Sequence, residues 1–207
     1  YLGPAVTGGM RRLTQWLELP AAADDLLFSG TVPLAGAAAL AGMGPEVFDV
    51  LRPWLGRVRW SANTLARFVT PLRETARASG LPLAEAARQA LSGVRLGEDL
   101  SPNDRIARLA QAARAARYPV LTDLEERFAA LSRGVARGTA FALHPSRGFE
   151  SDAVTLEAKI ADRAALARAA ADLAELAGRP GWEALWSVAR GQEADEAPQC
   201  GGGGHDA

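Results

Sequence analysis

The side chains with the clearest chemical use in this chain are hydrogen-bond donors gathered near its start. Arg11, Arg12 and Gln15 follow Thr7 within the stretch VTGGMRRLTQWLELPAAADDLLFSGTVPLAGAAALAGM, residues 6–43. A guanidinium combines a fixed positive charge with a planar fork of N–H donors, which suits it to phosphate oxygens and to base edges. A threonine hydroxyl at a helix N-terminus can add a donor to a phosphate held there. Further along, Asn63 and Arg67, with Arg73 and Arg77, fall on the outward side of a second predicted helix. Thr7, Arg11, Arg12, Gln15, Asn63 and Arg67 are therefore the candidate DNA-binding residues. The competing account of them is an ordinary solvated helix face.

Other constellations offer less. Gly8-Gly9 and the terminal GGGG lack the Lys-Ser or Lys-Thr that makes a phosphate loop specific, so no nucleotide cofactor is expected. His144 and His205 are the chain's two histidines. Cys200 and His205 lie close together, but without a second thiol, and no metal site is expected. His144 precedes Pro145 with Arg147 nearby and is a weak anion-binding candidate; a solvated histidine accounts for it more simply. The carboxylate pairs Asp24-Asp25 and Glu125-Glu126 are adjacent on helices and point apart, which does not suit general acid-base work. No enzymatic constellation remains.

The elements that must position these residues are mostly helical. Thr7 and the glycines after it start a helix whose Leu13, Trp16 and Leu17 form an inward stripe, leaving Arg11, Arg12 and Gln15 outward. Pro20 ends that helix and opens a short one bearing Leu26, Leu27 and Phe28, with Gly30 as its stop. Two short helices joined by a tight turn are the minimum of a helix-turn-helix, a pattern also common in helical bundles. A helix opened by Pro45 closes at Pro53 and Gly56. Ser61 then caps a long helix with Leu65, Phe68, Val69, Leu72 and Ala76 inward, which Pro71 should kink or split. Residues 83–91 form a short helix, Ser101-Pro102 open another, and Thr122 with Glu125 makes a capping box for one more.

The period then changes. Thr139, Phe141 and Leu143, then Val154, Leu156, Ala158 and Ile160, alternate with polar or small neighbours as two antiparallel strands would. Asp162 starts a helix with Leu166, Ala169, Leu173 and Leu176 inward, and a last short helix bears Trp182, Leu185 and Trp186. The expected fold is mainly α: a helix-turn-helix-containing helical array over residues 1–135, a ββα subdomain over 136–190, and an acidic, Gly-rich disordered tail over 191–207. A two-stranded hairpin is marginal alone, so the helix must pack on it or a partner must complete the sheet.

Composition sets the outer limits. The 207 residues suffice for one elongated domain or two small ones. No apolar run reaches membrane length and no secretory signal is visible. A single cysteine excludes an internal disulfide, in keeping with a cytoplasmic protein. The net charge of −1 hides an asymmetry: residues 1–137 hold 17 basic and 13 acidic side chains, and residues 138–207 hold 6 and 11. All basic residues but Lys159 are arginine, a skew that a GC-rich genome would also give, so arginine abundance alone does not mark phosphate contacts.

The string MRRLTQWLELPAAADDLLFSGTVPLAGAAALAGM resembles the central region of ParB-type partition proteins of bacteria. In these a recognition helix runs into a Leu-Pro pair, a short helix, a Gly and an Ala-rich helix; Leu19, Pro20, Leu27 and Gly30 fit that spacing. Where the family has a Gly-His-Ala-Arg run, this chain has Ala35, Gly36, Ala37 and Ala38. The runs RYPVLTDLEERF and HPSRGFESDAVTLEAKI are similar to the C-terminal part of some ParB-like proteins. The resemblance implies a non-catalytic homodimer that binds double-stranded DNA in chromosome or plasmid partition. The family's CTP-binding motif lies upstream of this region, so the chain, which begins on Tyr1, is expected to be a piece of a longer protein. A helical protein-interaction adaptor without DNA binding is the alternative.

Overall fold

In a computed structural model of the chain, the backbone is described for residues 4–191 and side chains for residues 9–191. The chain divides into two units, residues 1–119 and 120–207. Ten α-helices and one two-stranded antiparallel sheet supply the main elements of the described residues, so the fold is mainly α with a small ββα element near its end. No helix among the described residues is long and apolar enough to cross a membrane.

The first unit opens with α1 (Pro4–Leu17), which begins on a proline whose missing N–H costs nothing at a helix start. Pro20 leads into a short 3-10 turn (Ala21–Ala23) and then α2 (Asp24–Phe28). Gly30, at φ 67°, takes the chain out of α2 in a conformation that a side chain disfavours. A second 3-10 turn (Leu34–Gly36) runs into α3 (Ala37–Leu40), followed by α4 (Pro45–Leu55).

The central element is α5 (Ala62–Ser79). Its start is fixed by the expected Ser61 cap, whose Oγ accepts from Thr64 N at 3.1 Å while Ser61 N donates to Thr64 Oγ1 at 3.0 Å. The expected split at Pro71 does not occur. One helix runs through it, because Leu65, Phe68 and Val69 before the proline and Leu72 after it are buried in one core and offset the lost backbone bond. Packed on α5 are α3, α6 (Leu83–Leu91) and α7 (Pro102–Arg117). Trp60 is buried at 5% exposure, stacks on Phe68 with ring centroids 5.2 Å apart, and donates from Nε1 to Leu55 O.

The second unit comprises α8 (Pro119–Val135), β1 (Phe141–Pro145), β2 (Val154–Ala158), α9 (Arg163–Ala177) and α10 (Trp182–Ala189). The strands pair antiparallel with Leu143 opposite Leu156. Their alternation turns Phe141, Leu143, Val154 and Leu156 into a core with Phe128, Val135, Leu176 and Leu185, and leaves Ala142, His144, Thr155 and Glu157 exposed. Asp162 caps α9 through Ala165 N, and Asp172 holds β1 by accepting from Ala140 N at 2.8 Å.

Three expectations need correction here. The boundary placed at 135/136 lies at 119/120, because α8 buries Phe128 and Val135 in the second core; periodicity shows that a helix has an apolar stripe, not which neighbour covers it. Thr122 is not a cap. The helix starts earlier, on Pro119, and Thr122 is buried within its first turns with Oγ1 unpartnered. On α9 only Ala169 and Leu176 are buried, whereas Leu166 and Leu173 stand 56% and 46% exposed, because the hairpin covers a narrower face than the stripe offers. The tail expected to be disordered lies outside the described residues beyond Gly191.

Arg179 ties the second unit together. Its guanidinium donates to Val135 O at 2.9 Å, at the end of α8, and to Arg137 O at 2.6 Å just beyond it, and pairs with Glu175 at 2.7 Å. Carbonyls at a helix end have no partner within the helix, so a fixed cation there satisfies groups the helix leaves open. Arg179→Ala is expected to cost this unit about 1.5–3 kcal/mol, the usual worth of hydrogen bonds to a charged group. Hydrogen exchange should show it as loss of protection over residues 132–145; unchanged protection would mean the contact carries no weight.

Candidate nucleic-acid interface

One buried side chain fixes how α1 presents its polar residues. Trp16, 3% exposed, faces the core where α1 packs on α3, and its Nε1 donates to Asp24 Oδ1 at 3.2 Å. The expected inward stripe is reduced to this tryptophan. Leu13 and Leu17 stand 49% and 76% exposed, and Met10 joins them at 57%. The cause is position: α1 lies at the edge of its unit and packs mainly on α3 and the turn before it.

At about 100° per residue, Arg11, Gln15 and Arg12 share an arc of about 100°, diametrically opposite the arc of Met10, Leu13 and Leu17. Arg11 and Arg12 are exposed and Gln15 is half-buried. Neither arginine makes an ion pair among the described residues. Thr7 lies in the first turns of α1, past its start rather than at its cap, and its side chain lies outside the described residues. Thus α1 is a three-sided helix with one side buried, one cationic and one apolar.

The element after the turn differs from an ordinary second helix of a helix-turn-helix. With five residues, α2 is barely more than a turn, and its first turn is acidic. Asp24 serves Trp16, and Asp25 accepts from Arg52 at 2.7 Å. Of these two helices, α1 is the one that offers positive charge to a phosphate. Within the Ala-rich segment Gly36 is held small by its neighbours: a Cβ there would stand 2.9 Å from Leu65 Cδ2 and 3.0 Å from Val32 Cγ1, both on fully buried side chains. A larger residue at this position would push α3 off α5.

Asn63 and Arg67 are exposed and one turn apart on α5, so they share a face. The structure does not merge them with the α1 set; α1 and α5 each pack on α3. Arg67 instead borders a groove of about 610 Å³ between α5 and α7, lined on the other side by Gln111 and Arg114 of α7 and by Tyr118 just after it. Sequence reading missed these three as a set. Their i, i+3 and i+7 spacing was a usable signal, but only the pairing of α7 with α5 shows that they oppose Arg67.

Arg73, read as outward, turns in and donates to Ala41 O at 2.5 Å. Burial, and secondarily the nearby Arg77, lower its affinity for its proton below the ordinary guanidinium value. It is a tie between α5 and the segment after α3, not a ligand-facing cation. Trp16 and Trp60 are core anchors and Trp54 is half-buried, in line with a packing role. His144 is exposed with Nε2 3.4 Å from Glu157 Oε2, a carboxylate neighbour that disfavours an anion. No group of three or more His, Cys, Asp or Glu side chains able to hold a metal occurs among the described residues, and Cys200 and His205 lie outside them.

Charge follows the same division as the fold. Residues 1–119 carry 14 basic and 10 acidic side chains, and residues 120–207 carry 9 and 14. Comparison with protein-family models, curated proteins and solved structures finds no match to this chain.

Proposed function

We propose that this is a non-catalytic, double-stranded DNA-binding protein of the ParB type, acting as a homodimer in the bacterial cytoplasm. The observation that carries this reading is the cationic side of α1, where Arg11, Gln15 and Arg12 stand together opposite the apolar side. A helix of this width fits the major groove, and its arginines reach phosphates and base edges. The +4 balance of the first unit favours approach to a polyanion, and the −5 of the second keeps the whole near neutral, which makes binding modest. The resemblance of residues 10–43 to the ParB central region gives the same assignment.

Fluorescence anisotropy of the chain with a duplex, at low and at moderate salt, tests the proposal. Affinity that falls as a power of salt concentration is expected, since each phosphate neutralised releases counterions. Affinity no better than that of a neutral control protein, with no salt slope, overturns it.

The adaptor reading has one observation in its favour. Met10, Leu13 and Leu17 on α1, and Leu166 and Leu173 on α9, are exposed apolar side chains of the kind that protein partners cover. On that reading Arg11→Ala with Arg12→Ala leaves partner capture intact and there is no DNA complex to lose.

A further inference from the structure

Small side chains from α5 and α7 line the groove between the two helices. Ala66 and Pro71 of α5 face Ala107 and Ala110 of α7 along the groove of about 610 Å³. Short side chains leave room for a ligand's main chain to approach the helices. The polar lining is Arg67 and Thr70 from α5 and Gln111 and Arg114 from α7. Two cations thus stand on facing walls, and the amide and hydroxyl add uncharged donors.

The one acidic side chain lining the groove is already engaged. Glu74 lies 3.5 Å from Arg117 Nε and accepts from Tyr118 Oη at 3.4 Å. Arg117 in turn lies 4.7 Å over the Tyr118 ring. This cluster closes one end of the groove and neutralises the carboxylate that would repel an anion. Arg67 is exposed and makes no hydrogen bond or ion pair among the described residues. Asn63, one turn before it on the same face of α5, extends the donor row beyond the groove.

We propose that the α5–α7 groove binds the sugar-phosphate backbone of nucleic acid, with Arg67 and Arg114 on phosphates and Gln111 and Thr70 as uncharged donors. Charge complementarity argues for this occupant: a polyanion whose charges repeat along a chain matches cations on both walls of an open trough. The contact is with backbone and carries no sequence information, which separates it from the role given to α1. This inference rests on the DNA-binding reading and adds to it a second, sequence-independent phosphate site.

The test is a salt titration of duplex binding by the full chain, comparing the wild type with Arg67→Gln plus Arg114→Gln and with Arg77→Gln. Arg77 is exposed on α5 and does not line the groove. The double variant should flatten the slope of log affinity against log salt by about 2, at about 0.9 per phosphate contact, and leave preference among duplex sequences unchanged. Arg77→Gln should leave the slope as it is. Because Arg114 makes other contacts, Arg67→Gln alone, with an expected loss of about 1 in slope, decides the matter where the double variant fails to fold. A wild type that binds with a salt slope, beside an Arg67→Gln that matches it, overturns the groove assignment and leaves the α1 reading standing. A wild type with no salt-dependent binding overturns the DNA reading and the groove with it.

Discussion

Phe68→Ala is expected to lower the stability of the first unit by about 3–5 kcal/mol, the usual cost of emptying an aromatic site in a close-packed core. Phe68 has no solvent exposure, sits mid-way along α5, and forms the platform on which Trp60 stacks. Because α5 is the element on which α3, α6 and α7 pack, a cavity in its buried stripe weakens the core they share. Urea unfolding followed by circular dichroism measures the loss, and a change below about 1 kcal/mol would mean that the neighbours collapse into the space. Most domains hold only about 5–15 kcal/mol in reserve, so this substitution should also abolish any activity that needs α1 in place.

Arg11→Gln with Arg12→Gln should leave that stability unchanged and weaken duplex binding about 100-fold at moderate salt. Both side chains are exposed and unpaired among the described residues, so removing them opens no cavity and orphans no buried partner. Each arginine on a phosphate or a base edge is worth about 1–3 kcal/mol, and two such losses multiply. Anisotropy titration beside a thermal melt separates the two effects. Equal affinity for variant and wild type, with both fully folded, would remove α1 from the interface.

Much of this architecture was legible in the residues. Ser61, Ser101 and Asp162 announced their helices because capping needs only a side-chain oxygen and the N–H groups just beyond it. The hairpin was legible because alternation has a period that no helix shares. What failed was everything that depends on a distant neighbour. Leu13 and Leu166 have the spacing of core residues and are exposed, because the elements that pack on α1 and α9 cover only part of each stripe. Pro71 does not divide α5, because packing on both sides of it outweighs one missing bond.

The candidate site shows the same limit. Sequence placed Arg11, Arg12 and Gln15 on one outward face; Arg11 and Arg12 are exposed there, and Gln15 is half-buried. It also placed Arg73 outward with Arg67, although the two diverge: Arg67 borders the groove and Arg73 turns in to Ala41 O. Helical spacing gives an angle around the axis, and a long side chain can still bend back to a carbonyl on a neighbouring element. That Gln111 and Arg114 oppose Arg67 was not legible, because their partner wall is contributed by a helix more than thirty residues earlier.

The most direct measurement is photocrosslinking from α1 to DNA. Gln15 and Leu17 point to nearly opposite sides of that helix, so p-benzoylphenylalanine placed at either position reports which side meets the duplex. A probe at position 15 should crosslink duplex DNA at low salt and lose the crosslink as salt rises, and a probe at position 17 should give none. A crosslink from 17 but not from 15, or none from either at saturating DNA, would contradict the assignment of α1 as the DNA-reading helix.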